Sequence, residues 1–293
     1  MNDGARHAVD GETPSRGRRS QTGAVMSRYP STSDTKLAGH GTRAGALALI
    51  GDRYHNADYI RLHLKRLFAE ADAEFEYTVN YEWFTDSGAV ALLGGRRLLC
   101  LFRDGLTFPG GYVGPEACSH YILNLMDDPP ESPRQTWVTA EFSSAVSDFV
   151  LNGGSLFCFH NTLAIACFDE KFRRVAGGAY DGHPPERNWR VVPAQSGHPL
   201  LSGVEEFVIT DEQHFPLYDR PQENILLRGV NSDGLAFESD SGLPASCDSI
   251  VAWSHEYGRG KVVVCTIGHN LDALRKPSAL RFQLNALSWL LKE

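Results

Sequence analysis

The sequence lacks the features of a membrane-spanning or secreted protein. No stretch reaches the about 18 uninterrupted apolar residues of a membrane span, and the N-terminus has no apolar signal-peptide core. The six cysteines are scattered, mostly within apolar runs, and none forms a CxxC pair. This usage is typical of buried free thiols in a reducing compartment, and it disfavours disulfides or a cysteine-rich zinc site. We therefore predict a cytoplasmic protein with no membrane partner.

Nucleotide-binding fingerprints are also missing. Neither GxGxxG nor GxxxxGK[ST] occurs, and the glycines of Gly153-Gly154-Ser155 precede a predicted strand instead of following it. The formal net charge of -8 is unevenly distributed: residues 1–45 carry seven Lys/Arg and four Asp/Glu, and the rest of the chain carries 21 and 32. Because an acidic surface repels phosphate backbones, we predict no nucleic-acid partner.

The 293 residues divide into a polar leader and one long globular segment. Residues 1–44 are rich in Gly, Ser, Thr and Arg and hold almost no large apolar side chains. Such a segment buries too little apolar surface to offset the entropy cost of ordering it. We predict a disordered leader over 1–44 and a single domain over 45–293.

Short apolar runs alternate with helical spacing from Ala46 onward, which is typical of a parallel sheet with crossover helices. A Gly/Pro-rich segment, 105–133, interrupts the pattern, and a helix is predicted from about Gln135 to Leu151. The predicted strands of the first half are ALALIGD (46–52), FEYTVN (75–80), RRLLCLFRD (96–104) and SLFCFH (155–160). The second half contains shorter β runs and a terminal helix beginning at Pro277. These features predict an α/β fold with an additional β-rich C-terminal half.

Polar residues that directly follow the apolar runs are the candidates for a site. Ligands of open α/β sheets bind outside the carboxyl ends of the strands, where loops and helix N-termini meet. Two of these strand ends finish in histidine. The candidates at strand ends are Asp52, His55, Asn56, Arg103, Asp104, His160, Asn161 and His269.

A second polar cluster, Thr210-Asp211-Glu212-Gln213-His214, follows the apolar run FVI. Adjacent carboxylates and a histidine can supply a general base with its orienting partner, or ligands for a metal ion. The same composition also fits a solvated turn. His183, which precedes Pro184 in a predicted turn, joins the candidates for substrate binding.

Four runs carry a resemblance to a known family. They are GGSLFCFHN, FRRVAGGAYDGHP, GHPLLSGVEEFVITDEQH and SIVAWSHEYGRGKVVVCTIGHN, in this order. The chain resembles the trehalose-utilisation (ThuA-like) family over about residues 46–292, most closely over 152–270. The resemblance implies a flavodoxin-like, doubly wound and mostly parallel sheet related to class I glutamine amidotransferases. It also implies oxidised (3-keto) sugars and disaccharides as the substrate class.

The catalytic cysteine of those amidotransferases has no equivalent in this sequence. The resemblance places His160 at the strand-to-helix turn where the cysteine would lie, and Cys158 is two residues earlier on the strand. Amidotransferase activity is therefore not expected. Two departures from the family pattern, the His160-Asn161-Thr162 turn and the 105–133 segment, predict a substrate that differs from a trehalose derivative.

We predict an enzyme that acts on a small carbohydrate-like molecule by acid–base lyase, hydrolase or isomerase chemistry. His160 and Glu212 are the candidate base and acid, and His269 and Asp211 would orient or polarise the reacting groups. In a variant of this hypothesis, His160, Glu212 and His269 hold a divalent metal, zinc or manganese. A non-catalytic binding or regulatory module on the same fold is the alternative. Convergence of Glu212 and the histidines on one cavity would favour the enzyme. The sequence leaves the oligomeric state open, a homo-oligomer included.

Overall fold

A computed structural model describes residues 45–85, 88–107, 135–231, 233–239, 241–242 and 244–292. The predicted leader, 1–44, and most of the Gly/Pro-rich segment, from 108 onward, lie outside the described residues. Arg43–Glu293 form one structural unit. None of the helices within the described ranges is long and apolar enough to cross a membrane.

Nine of the strands in the described residues form one sheet, and four short strands form two separate ribbons. The order in the main sheet is β2-β1-β3-β6-β13-β12-β11-β8-β9. The strands are β1 (Ala46–Ile50), β2 (Phe75–Thr78), β3 (Leu98–Phe102), β4 (Leu106–Thr107), β5 (Gln135–Thr136), β6 (Ser155–Phe159), β7 (Gly178–Tyr180), β8 (Arg187–Pro193), β9 (Phe207–Asp211), β10 (Pro216–Tyr218), β11 (Ile225–Asn231), β12 (Asp248–Tyr257) and β13 (Gly260–Cys265).

The main sheet has a parallel half and an antiparallel half that share β13. Strands β2, β1, β3, β6 and β13 are parallel to their neighbours, in the spatial order 2-1-3-4-5 of the flavodoxin-like fold. From β13 to β9 every pairing is antiparallel. The predicted α/β fold with a flavodoxin-like sheet and a β-rich C-terminal half is thus confirmed.

Helices cover both faces of the sheet. The α-helices are α1 (Ala57–Glu70), α2 (Gly88–Leu93), α3 (Ala140–Leu151), α4 (Glu170–Ala176), α5 (Leu271–Leu274) and α6 (Pro277–Leu291), and 3-10 helices lie at Tyr81–Phe84, His160–Cys167, Pro199–Leu201 and Gln222–Asn224. Side chains of α1 and α6 pack on one face, among them Leu64 and Phe282, and side chains of α3 and α4 pack on the other, among them Val146 and Phe172. Burial on both faces explains why β1, β3 and β6 are continuous apolar runs.

The structure shortens the four predicted strands of the first half by one to four residues, moves the start of one predicted helix, and adds elements that the pattern did not predict. The helix predicted from Gln135 begins at Ala140, because Thr139 Oγ1 accepts a hydrogen bond from the Phe142 backbone N–H and caps the first turn. Gln135–Thr136 instead pair with β4. The antiparallel ribbon of β7 and β10 was not predicted, since each of its strands has only three residues.

Candidate active site around Glu212

The carboxyl ends of the parallel strands and the end of β9 meet at one place. Glu212 directly follows β9, His160 directly follows β6, and His269 lies four residues beyond β13. His55 lies in the turn between β1 and α1. Side chains that are far apart in the sequence are therefore close in space, as the topology of an open α/β sheet predicts.

Glu212 is at the centre of a cluster of imidazoles, which we call the Glu212 cluster: Glu212, His55, His160, His183, His214 and His269. One carboxylate oxygen, Oε2, lies 3.2 Å from His269 Nδ1 and 3.3 Å from His160 Nε2. It lies 3.5 Å from Nε2 of both His183 and His214. Burial opposes ionisation of Glu212, but the surrounding imidazoles outweigh it and hold the pKa of this carboxyl well below its usual range.

His160 occupies a strained turn at the end of β6. Its φ of +41° lies in the left-handed region, which is unusual for a residue with a side chain. A Cβ at Gly268 would lie 2.8 Å from both His160 Cβ and Phe102 Cζ, so only glycine allows the loop after β13 to approach this closely. Strand, sharp turn and 3-10 helix place the imidazole of His160 where the resemblance placed it.

A backbone carbonyl fixes the orientation of His160. Nδ1 lies 2.7 Å from the carbonyl oxygen of Thr266, and because a carbonyl only accepts hydrogen bonds, Nδ1 carries the proton. Burial of the fully buried ring, together with the nearby His214, holds the pKa of His160 well below its usual value. The neutral ring therefore directs the Nε2 lone pair at Glu212.

Asp52 performs the same orienting role for His55. Asp52 Oδ1 lies 2.8 Å from His55 Nδ1 and also accepts hydrogen bonds from the backbone N–H groups of Tyr54 and His55. The Asn161 amide and the Asp104 backbone N–H donate to the other oxygen. Burial opposes ionisation of Asp52, but His55 and Arg103 outweigh it and lower its pKa, while Asp52 in turn raises the pKa of His55 against the effect of burial.

Asp211 positions the loop that carries His269. Its two carboxylate oxygens accept hydrogen bonds from the backbone N–H groups of Gly268 and His269, at 2.9 and 3.0 Å. Asp211 and Glu212 are adjacent at the end of β9, so one strand end both holds this loop and supplies the central carboxylate. Asp211 therefore acts on the arrangement of the site rather than at its surface.

A cavity of about 370 Å³ opens beside the cluster, within the size range of small-molecule sites. Its polar wall consists of Tyr54, His55, Asp104, Asn161, Tyr180, His183, Glu212 and His214, and Leu106 and Ala164 also line it. His160 is fully buried beneath Glu212 and does not line the cavity. Burial and the charge of Asp52 raise the pKa of Asp104 to about 7, so this carboxyl can both donate and accept a proton near neutral pH.

Comparison with known protein families shows which family the chain belongs to. The family model for ThuA, described as trehalose utilisation, matches residues 125–290. The chain belongs to the ThuA family. No curated protein matches it.

Solved structures of ThuA-like proteins share the fold. A ThuA-like protein from Bacteroides uniformis ATCC 8492 superimposes with a TM-score of 0.57 at 14% identity, over 87% of this chain and 95% of that one. Another, from Parabacteroides merdae ATCC 43184, has a TM-score of 0.55 at 15% identity, over 85% and 90%. A cytoplasmic protein from Salmonella typhimurium LT2 has a TM-score of 0.51 at 12% identity, over 84% and 98%. The resemblance read from the four sequence runs is thus confirmed.

Most of the residues predicted for the site of this ThuA-family chain lie in or beside the Glu212 cluster. The structure brings together Glu212, His160, His269, Asp211, His55, His183, His214, Asn161, Asp104 and Asp52. Glu212 and the histidines converge beside one cavity, which is the arrangement that favours an enzyme over a binding module.

Three predicted substrate-binding residues have other roles. Asn56 caps α1 by accepting a hydrogen bond from the Asp58 backbone N–H. Arg103 is buried, donates to the Gly51 carbonyl oxygen, and lies 4.5 Å from the Tyr81 ring centre. Asp52 is buried and accepts hydrogen bonds from its neighbours. None of the three lines the cavity, because residues that follow a strand also cap helices and support turns.

Tyr180 is the wall residue that the sequence did not indicate. It ends β7 and lines the cavity between His183 and His214, whose rings lie 5.9 and 5.2 Å away. Burial raises the pKa of its phenol, so the hydroxyl remains protonated. The available signal was its place in the run AYDGHP, three residues before His183.

Proposed function

We propose that this chain is an enzyme that acts on a carbohydrate-like carbonyl compound by acid–base chemistry in the cavity beside Glu212. The observation that carries the proposal is the contact of one carboxylate oxygen with four imidazole nitrogens at 3.2–3.5 Å, at the edge of a cavity of about 370 Å³. Membership of a family described as trehalose utilisation supports a carbohydrate as the substrate class.

The geometry supports a division of roles that differs from the sequence hypothesis. In that hypothesis, His160 was the base and Glu212 the acid. His160 is shielded from the cavity, and an ionised Glu212 with a lowered pKa is a poor proton donor. We assign both to the fixed framework of the site.

Asp104 and His183 are better placed to move protons. Both line the cavity, and the pKa of Asp104 of about 7 suits a group that donates and accepts in turn. His183 Nδ1 donates to the Pro184 carbonyl oxygen at 2.8 Å, which leaves Nε2 on the side of Glu212 and the cavity. Tyr180 and Asn161 supply hydrogen bonds to substrate hydroxyls.

A ketone acidifies the C–H bonds on its neighbouring carbons. A base on the cavity wall removes such a proton, and a second group protonates the oxygen or the leaving group. Elimination, hydrolysis after elimination, and isomerisation all begin with this step. An oxidised sugar is the substrate class for which the step and the polar wall fit together.

Deuterium exchange tests the proposal directly. The purified full chain is incubated in D₂O with a panel of 3-keto-glycosides, and proton NMR follows exchange at the carbon beside the ketone as well as net turnover. We expect exchange with the native chain, and a loss of about 10²-fold or more in Asp104→Asn and His183→Gln. His63→Gln, a buried histidine outside the site, is the matched control.

A binding module would give a different result. Calorimetry would then show keto-sugar binding, while the NMR experiment showed neither exchange nor turnover. Exchange that persists in the Asp104→Asn and His183→Gln double variant would remove these two residues from the proposed role.

A further inference from the structure

Three donors of the Glu212 cluster present nitrogen or oxygen lone pairs to one small volume. His160 Nε2 lies 3.3 Å from Glu212 Oε2, yet it is buried and makes no aligned hydrogen bond. His55 Nε2 is likewise buried without a hydrogen-bond partner. A buried polar atom without a partner costs about 1–3 kcal/mol, so two of them beside a carboxylate require an explanation.

The other ring nitrogen of each of these histidines, Nδ1, already makes a hydrogen bond. His160 Nδ1 donates to the Thr266 carbonyl oxygen and His55 Nδ1 to Asp52. Metal-binding histidines are held in this way, because an oxygen acceptor on one nitrogen fixes the tautomer and aims the other nitrogen at the ion. Asp52 is the carboxylate of such a carboxylate–histidine pair.

His269 completes a compact donor set. Asp211 holds its backbone N–H, and its Nδ1 lies 3.2 Å from Glu212 Oε2. One donor atom from each of His55, His160, Glu212 and His269 lies within 4.8 Å of all the others. Four donors about 2.1 Å from one ion in a tetrahedral arrangement lie about 3.4 Å from one another, so the most widely separated pair has to close by at most about 1.4 Å.

We propose that His55, His160, Glu212 and His269 bind one divalent transition-metal ion. Three imidazoles and one carboxylate are a donor set suited to zinc or manganese, and the nitrogen-rich composition disfavours calcium and magnesium. Of the four donors, His55 and Glu212 also line the cavity, whereas His160 and His269 do not.

The proposal concerns the same cluster as the proposed function and goes beyond it. A binding module could hold the ion equally well, so its test uses no substrate. Metal binding without deuterium exchange would leave this proposal standing and remove the enzyme. Deuterium exchange by a chain that binds no metal would support the proposed enzyme and overturn the proposed metal site.

The first experiment measures binding to the full chain after treatment with a chelator. Titration with Zn²⁺ and with Mn²⁺, followed by calorimetry, is expected to show one site per chain. At about a hundredfold excess over Kd, the ion should raise the melting temperature by about 5 °C or more. Co²⁺ bound at the site should give the visible absorption bands of a nitrogen-rich, low-coordinate centre. Absence of binding for all three ions would overturn the proposal.

Variants locate the ion. His160→Gln and His269→Gln should each weaken Zn²⁺ binding by more than about 10²-fold, and Asp52→Asn, which acts only through His55, by about 10- to 100-fold. His63→Gln should bind as the native chain does. The far-ultraviolet circular dichroism of each variant checks that it is folded, and the partly exposed His269 provides the safer substitution.

A substitution at His183 distinguishes the proposed donor set from a neighbouring one. Glu212 also forms a second possible donor group with His183 and His214. If His183→Gln abolished Zn²⁺ binding while His269→Gln left it unchanged, the ion would lie in that second group, and the proposed donor set would be wrong.

Discussion

Two buried histidines of this protein, His63 and His160, have the same exposure and opposite surroundings. Both rings are fully buried. His63, on α1, pairs with one neutral partner: its Nε2 lies 2.6 Å from Gln283 Oε1, and the Gln283 amide donates to the Leu274 carbonyl oxygen. His160 instead shares one carboxylate with three other imidazoles, beside a cavity.

The difference shows what separates a packing histidine from a candidate functional one. His63 and His160 have the same residue type and the same burial, so neither property distinguishes a packing histidine from a functional one. In the His63–Gln283 pair, one amide oxygen is the hydrogen-bond partner of one imidazole. In the Glu212 cluster, the imidazoles outnumber the carboxylate, and an adjacent cavity admits a ligand. We therefore expect substitutions in the His63–Gln283 pair to change stability and substitutions in the Glu212 cluster to change function.

The largest expected effect comes from making the same histidine-to-glutamine substitution at His160 and at His63. His160→Gln should reduce deuterium exchange into a keto-sugar substrate by about 10²-fold or more, because the framework of the site loses a member. His63→Gln should leave exchange unchanged and lower the free energy of unfolding, measured in urea. If His63→Gln were the variant that lost exchange, the comparison would fail.

Close packing at Gly268 makes the site sensitive to one methyl group. Gly268→Ala places a Cβ 2.8 Å from His160 Cβ and Phe102 Cζ, and β13 and β6 hold both sides in place. We expect a loss of about 1–3 kcal/mol in the free energy of unfolding, together with reduced exchange activity. Gly94→Ala, where the nearest atoms are 3.6 Å away, is the control. Equal effects of the two changes would show that the loop has room to move.

Much of the fold could be predicted from the sequence because three strands of its parallel half are short, mostly apolar runs. β1, β3 and β6 are buried on both faces, so their side chains are apolar apart from Ser155 at the start of β6. The ribbon of β7 and β10 could not be predicted, since strands of three residues show no periodicity. Its place in the fold depends on packing that distant elements provide.

The site was predictable where topology decides and unpredictable where local hydrogen bonding decides. His160 and His269 follow neighbouring parallel strands, so their proximity follows from the strand order. Asn56 also follows a strand, yet it caps α1, because asparagine before a helix satisfies the first free N–H groups. All three residues lie within six positions of the end of a parallel strand, and only the structure distinguishes their roles.

Acid should weaken the protein through His63. Burial lowers the pKa of this imidazole to about 4, against the 6.5 of an exposed ring. The folded state therefore disfavours the protonated ring. The stabilisation is complete above pH 6.5 and is lost as the pH falls towards 4. Between pH 7 and pH 5, the native chain should lose about 2 kcal/mol more unfolding free energy than His63→Gln.

Urea titrations at the two pH values provide the measurement. Other groups that titrate in this range contribute equally to both proteins, so the difference isolates His63. Parallel loss of stability in the two proteins would mean that His63 is accommodated in its charged form, and the contrast between its surroundings and those of His160 would be smaller than the structure indicates.

The smallest expected effect concerns Cys158, which lies on β6 two residues before His160. The thiol is fully buried, and burial raises its pKa well above the usual value, so it is not a nucleophile. Cys158→Ala should cost about 1 kcal/mol of stability and leave deuterium exchange unchanged. Iodoacetamide should modify the exposed Cys167 in the folded chain and spare Cys158. Release of ammonia from glutamine, abolished by Cys158→Ala, would contradict this assignment, because it would mean that a reactive thiolate forms on this buried strand.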